Sequence, residues 1–257
     1  MSARASKAKG LLWVLCAVAL AAGAAFALPR AARHLPWSVE RWLGAMVDAV
    51  PPGRSCRAAD RPGPAALLDK LVQRIYPLYP EDRLLPITVD VIHGDAVNAF
   101  ATLGGHIYVF EGLIAQARSP EELAGVLAHE IEHVRNRHIV QALGVNLLTM
   151  MALKAALPGG GQVDPRTVHL FLSLQFSRQE ESEADQLGLE RLRSAQVDAG
   201  GFAQFFARAR SMPAAPPILS NHPSNESREA LAARFAGYPV RPILGPGEWE
   251  TLSAICR

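Results

Sequence analysis

Residues 127–138, LAHEIEHVRNRH, place three histidines and two glutamates within twelve positions. The preceding SPEE, residues 119–122, predicts the start of a helix, because serine is a good N-cap and proline suits the first helical position. Residues four apart share a helical face, so His129 and His133 can direct ring nitrogens at one metal ion. A catalytic zinc ion takes three protein ligands. The fold must therefore bring a third ligand to this helix from another part of the chain.

Three further residues of the segment lie off the helical face that carries His129 and His133, which we call the ligand face. Glu130 is about 100° around the helix from His129, beside the metal position rather than on it. In an HExxH motif this carboxylate is the general base that activates water. Glu132 is expected to be solvated, and His138 is expected to be a surface residue or an outer neighbour of the ligands.

The candidate third ligand lies in SRQEESEADQLG, residues 177–188. Such a charge run is usually a solvated helical face. Here, however, Glu181 and Asp185 are four apart, whereas Glu180 and Glu183 fall on other faces. One carboxylate could bind the metal while the other accepts the free N–H of a ligand histidine and fixes its tautomer.

Together, HEIEHVRNRH and SRQEESEAD resemble the zinc metallopeptidase family of HtpX, the CAAX prenyl endopeptidase and the periplasmic proteases BepA and LoiP. The resemblance covers residues 65–235. It implies an α+β fold, a mainly helical zincin-type metalloprotease domain whose small β-sheet has an edge strand beside the active-site helix. It also implies one zinc ion per chain, held by His129, His133 and Glu181, with Asp185 as the orienting carboxylate.

Two more segments are similar to that family. VNAFATLGGHIYVFEGLI, residues 97–114, resembles its substrate-pairing edge strand, which assigns substrate binding to Asn98, Ala99, Phe100 and Ala101. SNHPS with the following Arg228 resembles a segment that brings His222 to the metal, and Arg228 is assigned to substrate binding. His222 then has two open roles: it donates a hydrogen bond to the oxyanion, or it occupies the fourth metal position and holds the enzyme latent.

The remaining pattern predicts mixed secondary structure. LPITVDVI alternates like a strand, and apolar runs on either side of Gly104-Gly105 predict a hairpin. Residues 139–157 form a long apolar stretch. It could be a second membrane span, or a helix that is buried or lies at an interface. His93, His106 and His169 lack a partner at ligand spacing and are expected to be ordinary histidines.

The N-terminus indicates export. Residues 1–28 combine a basic start with an 18-residue uncharged run that ends near Ala25-Phe26-Ala27, so a cleaved signal peptide and an uncleaved signal anchor are both open. Residues 29–64 are expected to be a linker with a short amphipathic helix, and residues 65–257 the metallopeptidase domain. Either reading places the domain in the periplasm or on the outer face of the inner membrane.

Cys16 lies in the apolar run, which leaves Cys56 and Cys256 as an even pair. In an exported chain such a pair predicts a disulfide, the alternative being two unrelated free thiols.

The net charge of +2 and the lack of a basic stripe with interleaved aromatics exclude a nucleic-acid partner. The sequence thus predicts a zinc-dependent endopeptidase of the cell envelope that degrades misfolded or unassembled polypeptides. An uncleaved N-terminal segment would add a membrane contact. The alternative function is a chaperone or assembly factor that carries a zinc site and has little proteolytic activity.

Overall fold

The computed structural model describes residues 23, 27, 31–47, 54–57, 62–144, 176–224 and 227–257. Most of the N-terminal segment and of the apolar stretch 139–157 lies outside these residues, so their predicted roles stay predictions. Within the described ranges, no helix is both long and apolar enough to cross a membrane.

The chain divides into two compact units, residues 1–35 with 140–163 and residues 36–139 with 164–257. In the first unit, Arg33 Nε donates to Gln141 Oε1 at 2.8 Å. Among the described residues, the strands and the helices of at least five residues all belong to the second unit, as do the candidate site residues.

The second unit is mainly helical. Its helices are α1 Trp37–Val47, α2 Pro62–Ile75, α3 Glu111–Gln116, α4 Pro120–Arg135, α5 Arg178–Ser194, α6 Gly200–Arg210, α7 Pro217–Asn221, α8 Arg228–Arg234 and α9 Glu248–Ser253. The described residues of this unit also form two 3-10 turns, Pro80–Leu84 and Leu103–Gly105.

The small sheet has three strands in the order β1-β3-β2. Strand β1, Thr88–Ile92, runs parallel to β3, His106–Phe110, and β2, Ala99–Ala101, pairs antiparallel with β3. The predicted strand and hairpin are therefore confirmed. Strand β2 lies at the edge of the sheet and contacts α4. This confirms the predicted α+β fold with an edge strand beside the motif helix.

Helix α4 begins where the sequence predicted, with the Ser119 hydroxyl accepting a hydrogen bond from the Glu122 backbone N–H. It lies at the centre of the core, packed against α5 and α6. Glycines allow these close approaches: a Cβ on Gly188 of α5 would lie 3.2 Å from the His129 backbone nitrogen, and one on Gly125 would lie 2.8 Å from Phe202 Cα. The tight contact at Gly188 brings the acidic face of α5 to the motif histidines.

The N-terminal part of the second unit packs on the sheet. Gly44 of α1 lies against the Leu103 carbonyl of the hairpin turn, so the predicted amphipathic helix forms and covers the β2–β3 connection. The predicted disulfide between Cys56 and Cys256 is present, with Cα atoms 4.8 Å apart. It joins the segment beside β1 to the C-terminal turn.

Candidate metal centre

Four buried side chains converge between α4, α5 and the end of α7. They are His129, His133, Glu181 and His222, and each is at most 2% exposed. The Nε2 atoms of His129 and His133 lie 3.0 Å apart, and each is 3.5 Å from a Glu181 oxygen. The predicted spacing of four residues thus does place both imidazoles on one face, and α5 supplies the carboxylate.

His222 completes the cluster from the loop that follows α7. Its Nδ1 lies 3.1 Å from His129 Nε2 and 3.1 Å from Glu181 Oε1. Its Nε2 lies 3.4 Å from Glu130 Oε1. Burial lowers the pKa of His222, but the carboxylates of Glu181 and Glu130 outweigh it and raise that pKa to about 9. The cluster therefore attracts positive charge strongly.

The donor set fits zinc. Tetrahedral zinc with nitrogen and oxygen ligands at about 2.0–2.1 Å requires donors about 3.3 Å apart. The separations given above run from 3.0 to 3.5 Å. Burial and the neighbouring His129 lower the pKa of His133 well below its usual range, which keeps its imidazole in the neutral form that binds metals. These four residues could hold one metal ion.

Glu130 lies beside the donors rather than among them, as its helical position predicted. It is fully buried, and neither carboxylate oxygen has a hydrogen-bond partner among the described residues. Its contact with His222 Nε2 is long at 3.4 Å, and a buried carboxylate without hydrogen bonds is costly. Such an arrangement suits a group that is to receive a proton from a bound molecule.

Asp185 lies one turn beyond Glu181, with Oδ1 2.9 Å from His129 Nδ1. On its other side, Arg228 Nε lies 2.9 Å from both oxygens of Asp185, and Nη2 lies 3.3 Å from Glu181 Oε2. Burial raises the pKa of Asp185, but His129 and Arg228 outweigh it and lower that pKa to about 2. The geometry suits the predicted role of Asp185 in orienting His129.

Arg228 is 1% exposed, and its guanidinium lies 3.8 Å from the centre of the Phe206 ring. The sequence assigned it to substrate binding. In the structure its donors face Asp185 and Glu181, and its assignment to substrate binding stays a prediction.

Two residues around His133 extend the centre. His138 is fully buried, with Nδ1 3.1 Å from His133 Nδ1 and Nε2 3.6 Å from Glu183 Oε2. Of its two expected placements, the structure selects the outer neighbour of a ligand. Phe176 stacks on the His133 ring at 4.0 Å. Sequence reasoning missed Phe176, and its only signal was its position directly before the Ser177 helix cap.

The expectation that Glu132 is solvated was wrong. Glu132 is 1% exposed, and its Oε1 accepts a hydrogen bond of 2.6 Å from Arg191 Nε. Arg191 also donates to Asp82 Oδ2 at 3.0 Å and to the Ile75 carbonyl at 2.9 Å. This buried ion network ties α4 to α5, α2 and the turn after α2.

The assigned substrate segment lies beside the centre on β2. Asn98 is 3% exposed, and its Oδ1 has no hydrogen-bond partner among the described residues. The Phe100 ring packs on Tyr108 and Phe110. Within the part of the chain that the structure describes, β2 pairs only with β3, so its second edge bonds to no described strand.

Comparison with known proteins agrees with this site. The model of peptidase family M48 matches residues 79–234, more than half of the chain. The chain therefore belongs to peptidase family M48. The predicted family is confirmed, and with it the zinc metalloendopeptidase class and the zinc cofactor of the matched domain.

Curated relatives cover both bacterial and mitochondrial proteins. The beta-barrel assembly-enhancing protease of Escherichia coli is 32% identical over 178 residues, which span 62% of this chain and 36% of that protein. The putative protein of that name from Vibrio cholerae is 32% identical over 160 residues, 56% of this chain and 33% of that protein. The mitochondrial metalloendopeptidase OMA1 of Schizosaccharomyces pombe is 33% identical over 146 residues, 54% of this chain and 43% of that protein. This chain thus spans well under half the length of these relatives.

Proposed function

We propose that this protein is an endopeptidase of the cell envelope that cleaves extended segments of misfolded or unassembled proteins. The observation that carries the proposal is Glu130, a buried carboxylate without a hydrogen bond among the described residues, beside a convergent His129, His133 and Glu181 donor set. A purely structural metal site has no use for such a carboxylate. The names of the relatives support the envelope location, since two of them are beta-barrel assembly-enhancing proteases.

His129, His133 and Glu181 would hold a zinc ion, which would supply Lewis-acid activation of a water molecule and of the substrate carbonyl. Glu130 takes the proton of the attacking water and passes it to the leaving amine. Asp185 holds the His129 ring in the tautomer whose Nε2 faces the cluster. Arg228 in turn holds Asp185 and Glu181 in their positions.

We further propose that substrate enters as an added strand on β2. An extended peptide satisfies the backbone donors and acceptors of an edge strand whatever its sequence. The second edge of β2, which bonds to no described strand, and its contact with α4 support this placement. Recognition through backbone atoms gives weak side-chain selectivity, which suits a protease of unfolded chains.

We assign His222 to the resting form of the enzyme, in which its ring fills the fourth donor position. The segment that carries it is attached next to the substrate strand, because the Ile218 N–H donates to the Val97 carbonyl at 3.3 Å. A peptide that pairs with β2 would therefore lie next to the segment that holds His222 in place, as well as next to the metal centre.

The test is cleavage of casein by the purified protein with and without a metal chelator, alongside Glu130→Gln. We expect cleavage that the chelator abolishes, and a variant that keeps its metal content and fold but retains less than roughly a few per cent of turnover. Suppression of aggregation without any cleavage would instead support the chaperone alternative. Normal turnover in Glu130→Gln would remove Glu130 from the mechanism.

A further inference from the structure

A second group of metal-binding side chains lies at the carboxyl ends of β1 and β3. These strands are parallel, with Ile92 opposite Phe110 as the last register pair. His93 and Glu111 follow those two residues directly, so their side chains project from the same end of the sheet. His93 Nδ1 lies 3.2 Å from Glu111 Oε2.

The disulfide lies against this pair. The segment 54–57 runs antiparallel beside β1, where the Cys56 N–H donates to the Val91 carbonyl at 2.8 Å and the His93 N–H donates to the Arg54 carbonyl at 3.0 Å. Cys256 comes from the turn after α9. Both sulfurs, an imidazole nitrogen of His93 and a carboxylate oxygen of Glu111 all lie within 4.8 Å of one another.

The chemistry of these donors differs from that of a solvated acidic patch. Two thiolates, an imidazole and a carboxylate form a four-donor set of the types that bind zinc. Cys56 is 5% exposed, and the side chains of His93 and Glu111 are 32% and 35% exposed, so the group is half-enclosed. Two thiolates and one carboxylate would exceed the charge of a divalent zinc ion by one. Arg54 places a positive charge beside the group, with its Nη2 3.3 Å from His93 Nε2.

We propose that reduction of the Cys56–Cys256 disulfide creates a second zinc site with Cys56, Cys256, His93 and Glu111 as ligands. The bound ion would replace the covalent link as the staple between segment 54–57 and the C-terminal turn. The zinc ion would then hold the C-terminal turn to segment 54–57 both before the disulfide forms and under reducing conditions.

The chemistry balances with a dithiol reductant. The reductant transfers two electrons and two protons to the disulfide, which becomes two thiols, and closes its own disulfide. Zinc binding then displaces the two thiol protons, since thiolate is the ligand form. Tetrahedral zinc at about 2.3 Å from each sulfur holds two sulfurs about 3.8 Å apart. Rotation of the two cysteine side chains provides that separation, while the His93–Glu111 distance already suits a shared ion.

Cobalt(II) distinguishes this site from the metal centre on α4. The full-length protein, purified with its catalytic zinc, is reduced with a phosphine under anaerobic conditions and titrated with cobalt. Bound thiolates produce an intense charge-transfer absorption in the near ultraviolet, which the thiolate-free His129–His133–Glu181 centre does not produce. We expect the reduced protein to bind one additional cobalt ion per chain and to show this absorption. The oxidised protein should show neither the additional ion nor the absorption.

Variants identify the ligands. His93→Ala and Glu111→Gln should each weaken cobalt binding by more than the roughly 10–100-fold that follows loss of an outer partner. Glu250→Gln, an exposed acid on α9, is the matched control and should bind cobalt normally. Because these variants keep both cysteines, they can be purified in the disulfide-bonded form and reduced afterwards.

The proposal fails if the reduced protein shows no charge-transfer absorption, or if His93→Ala and Glu111→Gln bind cobalt as tightly as the control. Alkylation gives a second measurement on the unsubstituted protein. Zinc should slow the modification of Cys56 and Cys256 after reduction, and equal rates with and without zinc contradict the site. Neither measurement depends on proteolysis, so this failure is distinct from failure of the proposed function.

Discussion

The Nδ1 atom of His222 lies 3.1 Å from the Nε2 atom of His129, although the two residues are 93 positions apart. This separation is the one that a fourth donor to a shared metal ion would have. With His222 in that role, a bound ion would have no open position for substrate. This relationship favours the latent role over the donor role.

His222→Ala is accordingly expected to raise basal casein cleavage several-fold, extending to self-cleavage on storage. Loss of an oxyanion donor would have the opposite effect, a decrease of roughly a hundredfold or more. Turnover of a fluorogenic peptide and mass analysis of the stored protein measure both. Unchanged activity would leave His222 with neither role. The control variant is His106→Ala, which removes a histidine on β3.

Glu181→Gln should lower the zinc content of the purified protein strongly, because an amide is a weaker and uncharged ligand. Glu180→Gln should retain zinc, since Glu180 bonds to the Ser177 N–H at 2.8 Å. Glu183→Gln should lose far less zinc than Glu181→Gln, since Glu183 reaches His133 only through His138. Metal analysis of the three variants after identical purification decides the assignment. Equal losses in all three would contradict it.

Arg191→Met should destabilise the protein by about 3 kcal/mol, because Asp82 and Glu132 would lose their fully buried cation and keep only the partly exposed Arg135. Arg191 is fully buried, whereas Arg193 two positions later is exposed. Arg193→Met is therefore the matched control and should change stability by less than about 0.5 kcal/mol. Urea unfolding followed by circular dichroism measures both variants. A small decrease in the free energy of unfolding of Arg191→Met would show that the ion network contributes little to stability.

Stability should also depend on the protonation of Asp82. Burial raises the pKa of Asp82, but Arg191 and the backbone N–H groups of Leu78 and Tyr79 outweigh it and hold the pKa below its ordinary value. A carboxyl with a lowered folded-state pKa stabilises the protein above its unfolded pKa of about 3.9, and that contribution is lost as the pH falls through the folded-state value.

The stability difference between the unsubstituted protein and Asp82→Asn should therefore be constant from neutral pH to about pH 5 and shrink below about pH 4. Both proteins lose zinc on acidification, so the difference isolates Asp82. Asp95→Asn, which alters an exposed carboxyl, should show no such trend. A difference that is constant down to pH 2 would exclude this source of acid sensitivity.

Local patterns in the sequence were sufficient for several features. The Ser119 cap, the four-residue spacing of His129 and His133 and the hairpin at Gly104-Gly105 depend on neighbours a few positions away, and the structure has each of them. The pairing of Cys56 with Cys256 followed from counting, since no other pair remained outside the apolar run.

Burial of charge could not be predicted in this way. Glu132 looked solvated because it is a carboxylate off the ligand face, yet its partner Arg191 is 59 positions away. Arg228 similarly reaches Asp185 across 43 positions. A charged side chain enters the core only when a distant segment brings its counter-charge. The local periodicity of the sequence does not predict such a contact.

The sequence by itself determined which residue types could bind a metal and activate water, because helical spacing sets which side chains share a face. The family resemblance predicted that His222 approaches the metal. Only the tertiary structure decided its contacts with His129 and Glu181, the contacts of Arg228 with the carboxylates, and the meeting of His93 and Glu111 with the disulfide. The physical reason is that those groupings depend on close packing of α4 against α5 and on the parallel register of β1 and β3, contacts between segments distant in the chain.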